Sequence, residues 1–470
     1  MSSRHRTICA RALLGACVAL TLASPLPAST REARAATPLA IDEALVIATA
    51  STSSPGLRAA HHDAASAGED AVRAQRARLP GLTLSARYTR LSSIPERYRS
   101  VSLDPTGVSP PIVFPQLLDN YNMRASLEIS LTDPFLRLAA AAEAAGQVAA
   151  ARRLETEAAH AKLVFDARSA YFVLARAHLG RRIAEDALHA AEEQERLEND
   201  RVKAGTSPPT RALGFSASVH GARTRQEVAN AEVGAAEAAL RQYLRVEDLE
   251  RPLILAQPSL ASEAARDLPE QRRSPTEDPA TIRALETIRE AAAAKVREET
   301  WALLPRLAAT ASGDVSAPSA RVIGASTLQT VPTWVVGAVL EIPLTQMFGQ
   351  LSSRASAREA LGAAEARVEE ARRALKAHQG GARALWQGAR SRLDAGRLAL
   401  VVARTLAEAR RGELAAGLAI PLDVTSAESE LLRARTEVAD AELDLRLADA
   451  RLDLLEGRTT PRATMHAGSR

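Results

Sequence analysis

Four short segments of the chain alternate between apolar and polar residues, which is typical of β-strands with two different faces. The segments are 81–91, 124–131, 306–315 and 334–344. In the first of them Leu82, Leu84 and Tyr88 fall on one face, and Thr83 and Arg87 fall on the other. The alternation fits a soluble sheet with one buried face, and it also fits a membrane-spanning barrel with lipid outside and water inside.

Four strands are too few to close a barrel alone, because the smallest membrane barrels have about 8 strands. An open sheet edge in lipid would leave backbone hydrogen-bonding groups without partners, which is prohibitively unfavourable. If these strands span a membrane, several chains must therefore share one barrel.

The hydrophobic spacing elsewhere predicts helices, two of them very long. The predicted helical segments are 41–79, 137–203, 209–246, 279–303, 350–415 and 421–456. The second long helix has a seven-residue repeat, which favours a left-handed supercoil with a partner helix. The repeat consists of Leu361, Val368, Leu375, Ala382, Ala389, Gly396 and Ala403, with Ala364, Ala371, His378 and Leu385 at intermediate positions. At about 1.5 Å per residue each long helix would reach roughly 100 Å, so two shorter helices must cover each one.

The chain contains an internal duplication. Residues 126–132 resemble 339–345, at an offset of 213, and Ala204-Gly205 matches Ala416-Gly417, at an offset of 212. Such repeats predict two homologous halves, each ordered strand, strand, long helix and return helix. The divisions are a first half at 37–247, a connector at 248–278, a second half at 279–457 and a disordered tail at 458–470. The predicted fold class is mainly α with a small antiparallel β part.

The composition narrows the function. Apolar residues make up 46% of the chain but aromatic residues only 3%, so the apolar side chains are small. This argues against a compact enzyme with an aromatic-lined pocket and against a base-stacking nucleic-acid module. The 60 basic and 56 acidic residues nearly balance, and no block of like charge indicates a nucleic-acid partner.

The first 35 residues have the features of an export signal. Basic residues at 4–6 precede an apolar run, and Ala33-Arg34-Ala35 is a cleavage-site pattern. Both cysteines, Cys9 and Cys17, lie in this segment. An alternative is processing as a lipoprotein, which would leave Cys17 lipidated at the N-terminus. No later stretch is apolar for about 20 residues, so no membrane-spanning helix is expected.

Sequence signatures of catalysis are missing. The chain has no P-loop, H-E-x-x-H, C-x-x-C or G-x-S-x-G motif. His61-His62-Asp63 is the one group that resembles metal ligands, but adjacent histidines on a helix point to different faces. We expect no enzyme activity, no metal site and no cofactor.

The order of several short motifs resembles the TolC-like outer-membrane efflux proteins across residues 37–457. The motifs are Pro38–Leu45, Ser54-Pro55, Leu57–Ala60, Leu79-Pro80, Leu340–Leu344 and Ala416-Gly417 with Pro421–Val424. The resemblance implies a homotrimer with a shared twelve-stranded barrel in the outer membrane and an α-helical tunnel across the periplasm. It also implies a passive exit duct of a tripartite efflux or type I secretion system, docking a periplasmic adaptor and an inner-membrane pump. The alternative is a periplasmic coiled-coil adaptor or scaffold without a barrel.

The resemblance also assigns residues to sites. The turns at Gly205-Thr206 and Gly417-Leu418 would lie at the periplasmic tip and contact the adaptor. Asp423 fits the acidic residue that commonly follows this turn in the family, whereas the first half has Arg211 there. We expect these two residues to pair across neighbouring hairpins and to hold the tip closed. Residues expected to line the barrel lumen are Arg87, Glu128 and Glu341, with the two glutamates making it negative.

Overall fold

The structure is a computed structural model, and parts of the chain fall outside its description. The described residues are 39–95, 100–101, 112–113, 118–245, 251, 253–255, 278–317, 319, 330–342, 344–416 and 418–458. The predicted signal segment 1–35, with both cysteines, lies outside them. So do most of the connector 248–278, residues 459–470 of the predicted tail, and Gly417.

The protein is mostly helical with a small amount of sheet. The helices are α1 Glu43–Ser53, α2 Pro55–Arg76, α3 Arg137–Lys203, α4 Pro209–Arg241, α5 Ala280–Trp301, α6 Gln346–Ala415 and α7 Pro421–Leu455. The strands are β1 Leu39–Ile41, β2 Gly81–Arg90, β3 Ser100–Val101, β4 Ile112–Val113, β5 Asp119–Ser130, β6 Leu253–Leu255, β7 Arg306–Ala317 and β8 Val331–Glu341. Among the described residues, no helix combines the length and the apolar character needed to cross a membrane.

The first helical segment differs from the expectation, because 41–79 is two helices rather than one. Proline disfavours a helical conformation in the residue before it, and Ser54 is extended, with φ −60° and ψ 118°. Ser54 instead caps α2, since its hydroxyl accepts a 3.3 Å hydrogen bond from the Leu57 N–H. Asp42 caps α1 in the same way, accepting a 2.6 Å bond from the Leu45 N–H.

Other element ends also differ from the expected ones. β5 begins at Asp119 rather than 124, because its ladder with β2 continues to the pair Arg90–Asp119. β8 begins at Val331 and ends at Glu341, the two ends of its ladder with β7, rather than running from 334 to 344. α4 ends at Arg241 rather than 246, where two tight turns close on the Leu240 and Arg241 carbonyl oxygens.

Four strands form one antiparallel sheet in the order β2-β5-β7-β8. The register places like residues side by side, so that every strand contributes to one apolar and one polar face. For example, Leu82 lies opposite Leu127, which lies opposite Ala311, while Thr83 lies opposite Ser126. Strands β2 and β8 are the sheet's two open edges within the chain.

The helices form a layer in the same order as the strands. α2 leads into β2, β5 leads into α3, α5 leads into β7, and β8 leads into α6. Near the sheet the packing order is α2-α3-α5-α6, and away from it the order is α4-α3-α7-α6. The open edges of the sheet and of the helical layer therefore fall on the same two sides of the chain.

The duplication extends to the packing inside each helical hairpin. Six buried residues of α4 face α3, and the residue 212 positions later is buried in α7 in every case. The pairs are Val219 and Leu431, Ala222 and Ala434, Ala229 and Ala441, Val233 and Leu445, Ala236 and Ala448, and Leu240 and Leu452. Both hairpins therefore use one packing scheme of small and medium apolar side chains.

The largest core lies where the hairpins approach α1. There the parallel pair β1–β6 meets α3, α4 and α7 around Ile41, Phe172, Leu174 and Leu443. The guanidinium of Arg168 links three helices, since it lies 2.6 Å from Glu43 and 3.4 Å from Asp453. This core fixes the two hairpins to each other halfway along the helical layer.

The packing stripe on α6 changes position along the helix, so the expectation for His378 and Leu385 is wrong. Both are exposed, and Gln379 and Trp386 lie in the stripe instead. The change occurs where the partner helix changes from α5 to α7. Gln379 marks this level, because its side-chain amide donates a 2.9 Å hydrogen bond to the carbonyl oxygen of Leu455 at the end of α7.

Candidate functional site: a two-faced sheet and two helical turns

The apolar face of the sheet is uncovered within the chain. Leu82 on one edge strand is 75% exposed, and Trp334 on the other is 76% exposed. No helix of the described chain packs on this face. Large apolar side chains exposed together mark a surface that contacts lipid or another protein.

Aromatic residues lie at both ends of this sheet. Tyr88 and Tyr121 stack at the end away from the helices, with ring centroids 5.1 Å apart. The Tyr88 hydroxyl donates a 2.8 Å hydrogen bond to Asp119, which keeps its polar end satisfied. At the other end, Phe135 and Phe348 are exposed at matching places in the two halves. Aromatic girdles at both interfaces are typical of strands that cross a membrane.

The polar face carries all three residues expected to line a lumen. Arg87 lies opposite Asn122, Glu128 lies between Gly81 and Thr310, and Glu341 lies opposite Arg306. The same face also carries Arg124, which lies 3.3 Å from Asp314. It therefore holds arginines as well as acids, and it is not uniformly negative as expected from Glu128 and Glu341 alone.

The turn after α3 is a Schellman motif. Gly205 has φ +69°, a conformation that favours glycine because it has no Cβ. The Gly205 N–H bonds to the Val202 carbonyl oxygen at 3.0 Å, and the Thr206 N–H bonds to that of Arg201 at 2.9 Å. The Thr206 hydroxyl donates to the same Arg201 oxygen at 3.0 Å, so both groups of the residue are engaged in the turn.

The turn after α6 repeats one of these bonds. The Leu418 N–H donates to the Glu413 carbonyl oxygen at 2.8 Å, as Thr206 does to Arg201 in the first half. The side chain of Leu418 differs from Thr206 in being apolar, and it is 82% exposed. Gly417 lies outside the described residues, so its conformation stays a prediction.

Asp423 and Arg211 occupy equivalent places in the two return helices. The Asp423 carboxylate accepts a 3.2 Å hydrogen bond from the Ile420 N–H and so caps the first turn of α7. Arg211 is exposed in the first turn of α4. In the described part of the chain neither residue has an ion pair, so their pairing across neighbouring hairpins stays a prediction.

The sequence did not indicate one buried acid near the first turn. Glu198 on α3 is 2% exposed, accepts a hydrogen bond from the Ser207 hydroxyl, and lies 3.5 Å from Arg201. It stands among several glutamates of α3, and only the return of the chain at Ser207 distinguishes it from them. The contact joins the end of α3 to the segment that begins α4.

The two turns carry opposite charges at equivalent positions. Each residue of the first half named below has a residue of the other sign 212 positions later. These pairs are Glu192 and Arg404, Arg196 and Glu408, Glu198 and Arg410, Arg201 and Glu413, and Arg211 and Asp423. The halves therefore share a fold at their tips but have complementary electrostatics.

The described residues contain no group of three or more His, Cys, Asp or Glu side chains that could hold a metal ion. His61, His62 and Asp63 are all exposed on α2. The chemistry of this molecule resides in its surfaces, namely the two-faced sheet and the charged turns.

The family model described as outer membrane efflux protein matches residues 46–244 and 277–458. The chain belongs to this family. The match covers both halves, including the four long strands, both long helices and both return helices. A search of curated proteins finds no match.

Solved structures of outer-membrane channels share the fold of this efflux family member. The Campylobacter jejuni CmeC outer membrane channel matches with a TM-score of 0.73 and 14% identity, covering 90% of this chain and 86% of that one. The Vibrio cholerae outer membrane protein VceC matches with a TM-score of 0.70 and 20% identity, covering 88% and 96%. The open state of the Neisseria gonorrhoeae MtrE outer membrane channel matches with a TM-score of 0.69 and 19% identity, covering 88% and 89%.

The family match decides between the two expected classes. Members of this family are outer-membrane channels, so this protein is an outer-membrane efflux duct. The resemblance to TolC-like proteins is confirmed, and the alternative of a periplasmic adaptor or scaffold is not favoured. The family consists of channel proteins rather than enzymes.

Proposed function

We propose that three copies of this chain form a passive exit duct across the outer membrane and the periplasm. In this assembly the three sheets make one twelve-stranded barrel, and the helical layers make one tunnel below it. The observation that carries the proposal is that the open edges of the sheet and of the helical layer lie on the same two sides of the chain.

The duplication supports a partner on the α4 side. α7 is buried on two faces, one against α6 and one toward α3, whereas α4 has only the first of these. On α7 the second face includes Ala439, Leu443 and Ala450. The equivalent α4 residues, 212 positions earlier, are exposed. A neighbouring copy of α6 would cover them as α3 covers α7.

The same reasoning applies on the α6 side. Phe172, Ala175 and Ile183 of α3 are buried, but their equivalents in α6 are exposed. Those equivalents are Ala384, Gln387 and Ala395. One side of each copy is thus complementary to the opposite side of the next. Contacts of this head-to-tail kind generate a closed ring when the rotation closes.

The number of copies follows from the barrel. Two copies would supply eight strands, and an eight-stranded barrel is just wide enough for its side chains to fill. Three copies give twelve strands and leave room for a water-filled lumen. The polar face of the sheet would line this lumen, and the exposed apolar face would contact lipid.

The tips supply the contact with other components. We place the turns at Gly205-Thr206 and Gly417-Leu418 at the periplasmic end, where a periplasmic adaptor would connect the duct to an inner-membrane pump. This fits tripartite efflux or type I secretion. In the ring, hairpins of the two halves alternate, so oppositely charged positions such as Arg211 and Asp423 become neighbours.

Disulfide cross-linking tests the ring. The sequence has only Cys9 and Cys17, both in the segment expected to be removed on export. Within the chain, Asp186 on α3 lies 3.6 Å from Arg435 on α7. The equivalent pair across copies is Leu398 and Arg223, 212 positions away in each case.

The variant with Leu398→Cys and Arg223→Cys should give a ladder ending at covalent trimers when outer membranes are oxidised. The matched control with Asp186→Cys and Arg435→Cys should give only monomers on denaturing gels. A Leu398–Arg223 variant that stays monomeric, while the control forms its internal disulfide, contradicts the proposed ring. If Cys17 is retained as a lipidated residue, it has no free thiol to interfere.

Planar-bilayer recordings test the tip. Arg211→Asp should raise the single-channel current, because like charges would then replace the expected pair with Asp423. Adding Asp423→Arg should restore the low current by restoring opposite signs. An unchanged current in the single variant contradicts a closing role for this pair, while leaving the ring itself untouched.

A further inference from the structure

Glu128 differs from the other acids on the polar face in that its surroundings are complete within one chain. It lies on β5, a central strand, with β2 on one side and β7 on the other. Glu341 and Arg87 lie on the edge strands β8 and β2, where a second copy would add neighbours. The electrostatic environment of Glu128 along the sheet is therefore fixed by this chain alone.

That environment contains no charge. Gly81 and Thr310 lie directly opposite Glu128 on the two neighbouring strands. Ser126 and Ser130 precede and follow it on the same face of β5. No cation of the described residues lies within 4.0 Å of its carboxylate. Small side chains and hydroxyls leave the carboxylate exposed and uncompensated.

The other acids on this face are compensated. Asp314 accepts a 2.6 Å hydrogen bond from the Asn122 amide and lies 3.3 Å from the Arg124 guanidinium. Glu341 lies directly opposite Arg306 in the ladder between β7 and β8. Their charges are offset by arginine side chains, whereas the charge of Glu128 is not.

One arginine lies near Glu128 but is engaged elsewhere. Arg78 lines the same cavity of about 230 Å³ at the end of β2 and β5. Its Nε–H donates a 2.9 Å hydrogen bond to the Pro134 carbonyl oxygen. It forms no ion pair with Glu128, so the carboxylate is free to act on ions in solution.

We propose that Glu128 makes the barrel selective for cations. This inference rests on the proposed trimer, in which three copies of Glu128 form one ring at a single level of the lumen. Fixed carboxylates along a narrow aqueous path raise the local concentration of cations and lower that of anions. Rings of Asp or Glu side chains select cations in other channels by this means.

The test measures reversal potentials of the full-length trimer in planar bilayers under a KCl gradient. Glu128→Gln should lower the ratio of potassium to chloride permeability by about threefold or more, because it removes the only uncompensated charge at that level. Glu128→Lys should lower it further, to a preference for chloride. Glu341→Gln, which removes an acid beside Arg306, should lower the ratio by less than Glu128→Gln does.

The outcomes separate this inference from the proposed function. If the wild-type protein forms no channel, the proposed duct fails. If it forms a channel whose permeability ratio is the same in Glu128→Gln, the duct stands and the role of Glu128 is overturned. An equal or larger effect of Glu341→Gln would also overturn it, because compensation by arginine would then not matter.

Discussion

Two equivalent seams of the helical layer are built from different interactions. The closed seam is the contact of α3 with α7 inside one chain, around Arg176, Asp186 and Leu443. The open seam consists of the outward faces of α6 and α4, around Leu398 and Val228, which are 69% and 55% exposed. The duplication makes the two seams equivalent, so the residues at matching positions can be compared directly.

Ion pairs cross the closed seam where the open seam is largely apolar. Arg176 lies 2.9 Å from Asp440, and Asp186 lies 3.6 Å from Arg435. The residues 212 positions away from the first pair are Gly388 and Val228, and Leu398 replaces Asp186. Val401 and Val402 add further exposed apolar area on α6.

The difference reflects what each seam must achieve. Hairpins joined by the chain are already held close together, so weak contacts suffice between them. Separate copies must overcome the loss of translational and rotational freedom, and obligate interfaces are accordingly more hydrophobic. The apolar open seam is therefore the one that we expect to hold subunits together.

The largest effect is expected from a charge placed in the open seam. Leu398→Asp should dissociate the trimer, because an unpaired buried charge costs about 3–5 kcal/mol and the ring contains three such sites. The measurement is the mass of the detergent-solubilised complex by light scattering. Asp186→Leu, the matched change in the closed seam, should leave the trimer intact. Equal trimer content in both variants would contradict the assignment of subunit contacts to the open seam.

A cavity in the closed seam should act on the chain itself. Leu443 is 1% exposed, and Leu443→Ala should destabilise the fold by about 2–5 kcal/mol. Thermal unfolding followed by circular dichroism at the helical band measures the change. The loss should be present at concentrations where the complex has dissociated, unlike that of Leu398→Asp. A Leu443→Ala protein as stable as the wild type would show that this seam is not tightly packed.

The pH dependence of stability should depend on a buried acid of α7. Burial raises the pKa of the Glu442 carboxyl, and the nearby Arg446 and Arg397 only partly oppose this. The folded protein therefore takes up this proton at a higher pH than the unfolded chain does, so this group's contribution to stability rises as the pH falls from neutral through its raised pKa.

Glu442→Gln removes this contribution, and it should raise the melting temperature at pH 7. The difference from the wild type should shrink as the pH is lowered toward the ordinary range of a carboxyl group. Melting curves at several pH values measure it. A difference that is constant across this range would show that Glu442 does not titrate differently in the folded state.

The smallest effect is expected for the ion pair between Arg176 and Asp440. A double-mutant cycle with alanine at both positions should give a coupling energy of at most about 1 kcal/mol, since both side chains are partly exposed. High salt should reduce the coupling further. The exposed pair Arg404–Glu408 on α6 provides a control of similar geometry, at 3.1 Å. A coupling of several kcal/mol would place the strength of the closed seam in its charges.

The sequence predicted features that depend on a regular period. Alternation assigned the faces of the four strands, and the seven-residue repeat indicated the packing stripe of α6 at positions such as Val368 and Ala389. It failed where a second element decides the outcome. His378 and Leu385 continue the repeat in sequence, but the change of partner from α5 to α7 moves the stripe by one residue.

The site was predictable to a similar extent. Glycine and proline indicated the two turns, because these residues have strong local conformational preferences. The burial of Glu198 depends on where Ser207 returns, and the compensation of Asp314 depends on strand register. Neither contact has a local signal, since the partners are brought together by the fold rather than by spacing.

The opposite charges of the two tips have a consequence for how this gene can change. A chain made of two copies of the first half would place arginine beside arginine at every position equivalent to Arg211, and a chain made of two second halves would place aspartate beside aspartate. Neither half can replace the other in the ring, although they share one packing scheme. Since the duplication, each half has become a constraint on the substitutions that the other can accept.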